Sequence, residues 1–417
     1  MASMRGAIMK DFVRRHDFFS VFFSGRRIPF SWPGARAVMI CAVSVVAFFF
    51  WMSAICQAQP VQPIRIGSIF AKTGPGAEEN SPNYRMVMLA ARQINAGGGL
   101  LGRPVEVLEF DTGSSALGAR QAAMAAIEAR VAAVVGPSWS SQAMAMGPVL
   151  QEAGIPMLGS TTTAPEVTEI GDFIFRVCYT DALQASALAG FAYDELKARR
   201  AIVVTIAGDV YSEGLSAGFI ERFAARGGKV EAQLRYLQNA MNFDEQVRVV
   251  GEKAPNLVFV AGFTRDSGLF LKQARSAGLD MPILGGDGWT ALEHYPYLDP
   301  AKGENYYVSH WHPDSGSKAG QEFLALLLEE FGPNALQMID AGNANAYDAM
   351  GLLADAILRA GSDSPAAIRD ALAVTEKYPG VTGLITFKNS RDPQKSLVVL
   401  RITPDKVEFV KRVDPER

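Results

Sequence analysis

Residues 131–168, VAAVVGPSWSSQAMAMGPVLQEAGIPMLGSTTTAPEVT, decide how the rest of the chain is read. Residues 131–135 are short and wholly apolar and close on Gly136-Pro137, as expected of a strand buried on both faces of a parallel sheet. Ser140 and Ser141 then open a helical stretch, where a hydroxyl cap is favoured. Gly154-Ile155-Pro156 ends it, residues 155–158 supply a second strand, and Gly159-Ser160-Thr161-Thr162-Thr163-Ala164-Pro165 follows. Two hydroxyl-rich turns therefore stand at the carboxyl ends of neighbouring strands, the edge at which open parallel sheets bind ligands. Taken singly, either turn is accounted for by helix capping; as a pair they point to a site. A helix start offers free N–H groups and partial positive charge, so its natural guest is a carboxylate.

The same alternation extends in both directions. Upstream, residues 64–70 and 105–110 read as strands, and 82–95 and 115–129 as helices, the first opened by Ser81-Pro82 as a cap followed by proline. Residues 173–179 form a strand leading out of this half. From Asp181 a second series begins: helix 182–198, strand 201–207, a turn at 210–212, helix 213–226, and strands 229–237, 257–262 and 282–285 separated by helices. The last of these opens onto a turn at 286–289, and 304–311 reads as a strand leading back. Helices at 317–331, 343–361 and 365–375 follow, and 396–402 with 407–413 close the chain as a hairpin. The class is α/β, with two halves of four or five strands each and a hinge and cleft between them.

The chain has 417 residues, more than one ordinary core, with 49% hydrophobic and 20% charged residues. Residues 37–55 are apolar, preceded by Arg26, Arg27 and Arg36 and followed by Ala58, so residues 1–58 read as a signal peptide or an N-terminal anchor. Cys41 and Cys56 fall in that segment, leaving Cys178 as a buried small hydrophobe and no disulfide within the remainder. Beyond residue 58 there are 33 basic and 41 acidic residues, net −8, which argues against a nucleic-acid partner. The turns carry no GxGxxG, GxxxxGK[ST] or GxSxG pattern. His16, His294, His310 and His312 lie away from the turns; His310 and His312 share a strand face but lack a third ligand. No cofactor, metal or catalytic residue is expected, and enzyme activity ranks last among the readings.

The run VVGPSWSSQAMAMGPVLQEAGIPMLGSTTTAPEVT, with FAKTGPGAEE, INAGGGLLGRPVEVLEFDT, VYSEGLSAGF and KQARSAGLDMPILGGDGW, resembles the periplasmic leucine/isoleucine/valine-binding proteins of ABC transporters, from about Ile64 onward. The resemblance implies a type I periplasmic-binding-protein fold: two Rossmann-like lobes joined by a three-crossing hinge. It divides the chain into lobe 1 (62–180 plus 312–385) and lobe 2 (181–311 plus 386–417). It further implies that Ser140 and the turn Thr161, Thr162, Thr163 hold a ligand carboxylate and ammonium, that Tyr211 closes over the ligand, and that Asp287 accepts from the ammonium. Phe263 stands where the family often has a tyrosine, Glu79 where an aromatic often flanks the side-chain pocket, and Trp139 and Trp289 add bulk nearby. The implied protein is an exported periplasmic monomer that captures an amino acid or small carboxylate for a membrane permease and its ATPase. The alternative is a sensor that uses the same cleft to signal to a receptor or regulator.

Overall fold

The computed structural model of the chain describes residues 61–290, 303–338, 340–387, 390–403 and 406–414. The leader or anchor expected over residues 1–58 lies outside the described residues, as do His16 and His294. Among the described residues no helix is long and apolar enough to cross a membrane.

The apolar runs of the first half become β1 (Ile64–Phe70), β2 (Val105–Asp111), β3 (Ala133–Val135), β4 (Met157–Gly159) and β5 (Ile174–Arg176). Between them lie α1 (Ala77–Ala96), α2 (Ala116–Glu128), α3 (Ser140–Ala153) and the single turn α4 (Glu166–Glu169). The strands form one parallel sheet in the order β2-β1-β3-β4-β5. Side chains alternate between two buried faces: Ile66, Ala133 and Val135 join one core, while Ile69, Val134 and Met157 join the other. Ala119, Ala123 and Ala143 pack in the second core.

The second half contributes α5 (Asp181–Gly190), β6 (Arg200–Ile206), α6 (Val210–Ala225), β7 (Lys229–Tyr236), α7 (Asp244–Lys253), β8 (Leu257–Ala261), α8 (Thr264–Ser276), β9 (Ile283–Gly285) and β10 (Asn305–Ser309). Then come α9 (Lys318–Phe331), α10 (Ala341–Ala360), α11 (Pro365–Ala373), the small hairpin β11 (Tyr378–Gly380) and β12 (Gly383–Ile385), and finally β13 (Leu397–Ile402) and β14 (Val407–Val413). The second sheet runs β14-β13-β10-β9-β8-β6-β7. It has seven strands where four or five were expected, because β13 and β14 add antiparallel beside β10. Helix α10 returns to the first core, where Ala349, Met350 and Leu353 meet Ile66 and Val135. The chain therefore passes between the two lobes three times: after β5, after β10 and after β12.

Several boundaries differ from the sequence reading. Helix α1 begins a turn before Ser81-Pro82, because the backbone and side-chain amides of Asn80 both donate to Gly76 O and close a first turn upstream. Residues 210–212, expected as a turn, form the first turn of α6, capped by Asp209 accepting from Ser212 N at 2.9 Å. The helix expected over 182–198 ends as a π-turn at Phe191–Glu195. His310 and His312 lie beyond the end of β10 and take different partners. By contrast, Ser364 caps α11 at Ala367 N, with Pro365 at the first helical position. Cys178 is buried and unpaired, its thiol pushed up to about 12 by burial.

Leu215, Phe219 and Phe223 recur at spacing four and are fully buried. Phe219 lies 4.2 Å from Phe259 on β8 and 5.4 Å from Phe223, ring centre to ring centre. Phe219→Ala should cost about 3–5 kcal/mol, and Leu358→Ala, on an exposed face of α10, under about 0.5 kcal/mol. Denaturant unfolding monitored by circular dichroism checks the contrast.

Candidate functional site

In lobe 1 the chain leaves β3 through Gly136, at φ +106°, where a Cβ would stand 2.2 Å from Ile69 O. Only glycine accepts that turn. The two hydroxyl-rich loops that follow are tied together. Ser160 N donates to Pro137 O at 3.0 Å, and Thr161 Oγ1 donates to Ser138 O at 3.0 Å. Trp139, not a serine, holds the capping position of α3 and makes no side-chain cap bond. The Ser140 hydroxyl accepts from Ala164 N at 3.2 Å, so it bridges the two loops rather than capping its own helix.

The second loop is shaped from beneath by Arg176, which is fully buried. Its guanidinium donates to Thr162 O, to Ala164 O at 2.8 Å, to Pro165 O at 3.2 Å and to Thr168 Oγ1 at 3.0 Å. An ion pair with Asp392 at 2.7 Å balances the charge. With Thr163 O accepting from Asp181 N at 2.9 Å, the carbonyls of residues 162 to 165 are all engaged. Thr162 and Thr163 are fully buried within this support, and neither lines the cavity described below.

In lobe 2, Asp287 is buried to 6% exposure at the carboxyl end of β9. Gln184 Nε2 donates to Asp287 Oδ1 at 2.9 Å, and Gln184 Oε1 accepts from Asp287 N at 2.9 Å. The other carboxylate oxygen lies 2.9 Å from His310 Nε2. His310 was read from sequence as remote from the turns; the structure sets it behind Asp287, its ring stacked 3.9 Å from Tyr179. Burial lowers the His310 pKa below its usual 6.5, against the pull of Asp287, so the neutral imidazole donates to the carboxylate. Asp181, which accepts from Gln184 Nε2 at 2.8 Å, is pushed well above the usual carboxylate range by burial and then by the charge of Asp287. The Tyr211 hydroxyl accepts from Gly288 N at 3.0 Å.

The lobes meet through aromatic rings. Trp139 from lobe 1 sits 5.1 Å from Phe263, which stacks 5.4 Å from Tyr211. A Cβ on Gly76 would fall 2.0 Å from the Trp139 ring, so the space for that indole depends on glycine. Trp289, expected near the ligand, is fully buried beside Tyr307 behind β9 and does not line the cavity. A cavity of about 40 Å³ remains between the lobes. Of the residues singled out from sequence, Glu79, Trp139, Ser140, Thr161, Tyr211, Phe263 and Asp287 line it. Asn83, Thr290, Asp340 and Gly342 also line it and were missed. Asn80 and Asn83 lie three apart on α1 and so share a face, a signal that only the longer helix makes legible. Among the described residues no group of His, Cys, Asp and Glu could hold a metal ion.

Unfolded, the His310 imidazole takes a proton below about pH 6.5, whereas the folded site resists it. The unfolded chain then binds more protons, so stability falls as pH drops through that range. Between about pH 7.5 and 5.5 the melting temperature of the native protein should fall further than that of His310→Gln; equal falls would remove this role.

Comparison with known proteins places this geometry. Residues 63–406 match the family described as periplasmic binding protein. The Leu/Ile/Val-binding protein BraC3 of Rhizobium johnstonii is 28% identical over 335 residues, covering 79% of this chain and 88% of the relative. The solved leucine-binding protein LivK of Thermotoga maritima is 30% identical with a TM-score of 0.78, over 84% of this chain and 99% of that one. LivJ of Streptococcus pneumoniae, solved with isoleucine, is 26% identical with a TM-score of 0.79, over 85% of this chain and all of that one (100%). Two α/β lobes, three crossings, hydroxyl-bearing loops at the strand ends and a match across most of the sequence converge: the chain belongs to the periplasmic binding proteins, with the type I fold.

Proposed function

We propose that this chain is the extracytoplasmic solute-binding protein of an ABC transporter, capturing an amino acid or similar small carboxylate as its lobes close. It would hand the solute to a membrane permease coupled to an ATPase. The observation that carries this reading is the pairing of opposite chemistries across one cleft between the lobes. Ser140 and Thr161 line the lobe 1 wall, and Asp287, fixed by Gln184 and His310, lines the other. A zwitterion needs O–H and N–H donors at its carboxylate and a carboxylate at its ammonium. Relatives named for leucine, isoleucine and valine binding, and a neighbour solved with isoleucine, support an amino acid as the class.

Each charge-assisted hydrogen bond contributes about 1.5–3 kcal/mol. Three or four of them, less the cost of ordering solute and lobes, reach about −8 kcal/mol, a micromolar affinity. No step of capture requires a nucleophile. Nor does it require proton transfer, and the neutral His310 serves to aim Asp287.

In a thermal-shift screen of the purified protein, a few amino acids or small carboxylates should raise the melting temperature in a concentration-dependent way. Asp287→Asn should then weaken an amino acid about 10- to 150-fold while leaving a simple aromatic acid nearly unchanged. An unchanged amino-acid affinity would remove Asp287 from its role. No response to any amino acid or carboxylate at millimolar concentration would end the capture reading itself.

A further inference from the structure

The cavity wall carries a chemical bias that a branched-chain ligand does not explain. Among the described lining residues there is no aliphatic side chain; the apolar surface comes from Trp139, Tyr211 and Phe263. Three carboxylates line it, Glu79, Asp287 and Asp340, and among the described lining residues there is no Lys, Arg or His.

Two amide oxygens add to this bias independently. Asn80 and Asn83 are each 2% exposed. The Nδ2 of Asn80 donates to Gly76 O at 3.2 Å, and that of Asn83 to Ser138 Oγ at 2.9 Å. Each bond engages one N–H of its amide, and the Oδ1 of each is buried without a donor. A desolvated acceptor without a partner is unfavourable, and a solute that brings donors removes the penalty. A leucine side chain against these oxygens would leave both acceptors unpaired.

We infer that the solute is an amino acid whose side chain carries a second nitrogen cation, an ammonium or amidinium. The inference rests on the proposed capture of an amino acid and specifies its side chain. The α-carboxylate lies on the serine and threonine loops and the α-ammonium on Asp287. The side-chain nitrogen meets the Asn80 and Asn83 oxygens, in the field of Glu79 and Asp340.

The test is calorimetric titration of the protein with three solutes of similar size: α,γ-diaminobutyrate, leucine and benzoate. Diaminobutyrate should bind at least about tenfold more tightly than leucine. Asn83→Leu, which replaces an acceptor by an aliphatic wall, should narrow that ratio. Asn83→Asp, which keeps the shape and adds charge, should widen it and so guards against a misfolded first variant. Leucine or benzoate binding as tightly as diaminobutyrate, or tighter, overturns the inference while leaving amino-acid or carboxylate capture intact. Binding of none of the three overturns the inference, and capture itself then stands or falls on the wider thermal-shift screen.

Discussion

A buried carboxylate sets the terms for this molecule. Taking Asp287 out of water is costly unless donors replace the hydration it loses. Gln184 and His310 do so at 2.9 Å each, and Gln184 also fixes the backbone of the same residue. That arrangement demands a neutral imidazole behind the acid, which burial of His310 secures. Burial, and then the nearby Asp287, push the neighbouring Asp181 well above the usual carboxylate range. Beside Asp287, the Tyr211 hydroxyl accepts from the backbone N–H of the next residue, Gly288.

The same residues join the site to the segments that connect the lobes. Tyr179, on the first crossing, stacks on His310, on the second. Lys395, on the third, donates to Val177 O at 2.7 Å and to the Thr382 hydroxyl, and burial brings its pKa down to about 8. The Arg176–Asp392 pair binds the third crossing to the loop that carries Thr161. The three connections are thus cross-braced, and His310 joins that bracing to Asp287.

What the sequence reveals here follows from the range of the forces involved. Strands and helices are legible because burial on both faces leaves uninterrupted apolar runs such as residues 131–135, and because Leu215, Phe219 and Phe223 keep helical spacing. The loops at the strand ends are legible from their hydroxyls. Their wiring is not. The Ser140 hydroxyl finds its partner at Ala164 N, and Asp287 finds Gln184 and His310, because the fold brings distant segments together. Two residues that wire the loops and the acid leave faint traces: Arg176 is a lone charge in the apolar run FIFRVCY, and Gln184 a polar residue near the start of a largely apolar helix. Helix α1 was read one turn short because Ser81-Pro82 mimics a start, while the true first turn is closed by Asn80 on Gly76.

The ring of Trp139 against Phe263 has a consequence beyond packing. Of the tryptophans in the described residues, Trp289 and Trp311 are sealed in the lobe interiors, while Trp139 is half-buried and touches the opposite lobe. Any widening of the gap strips that indole of its neighbour and hydrates it, whereas the other two keep their surroundings. Among the described tryptophans, Trp139 is therefore the one whose emission colour would report such a widening, with no dye attached.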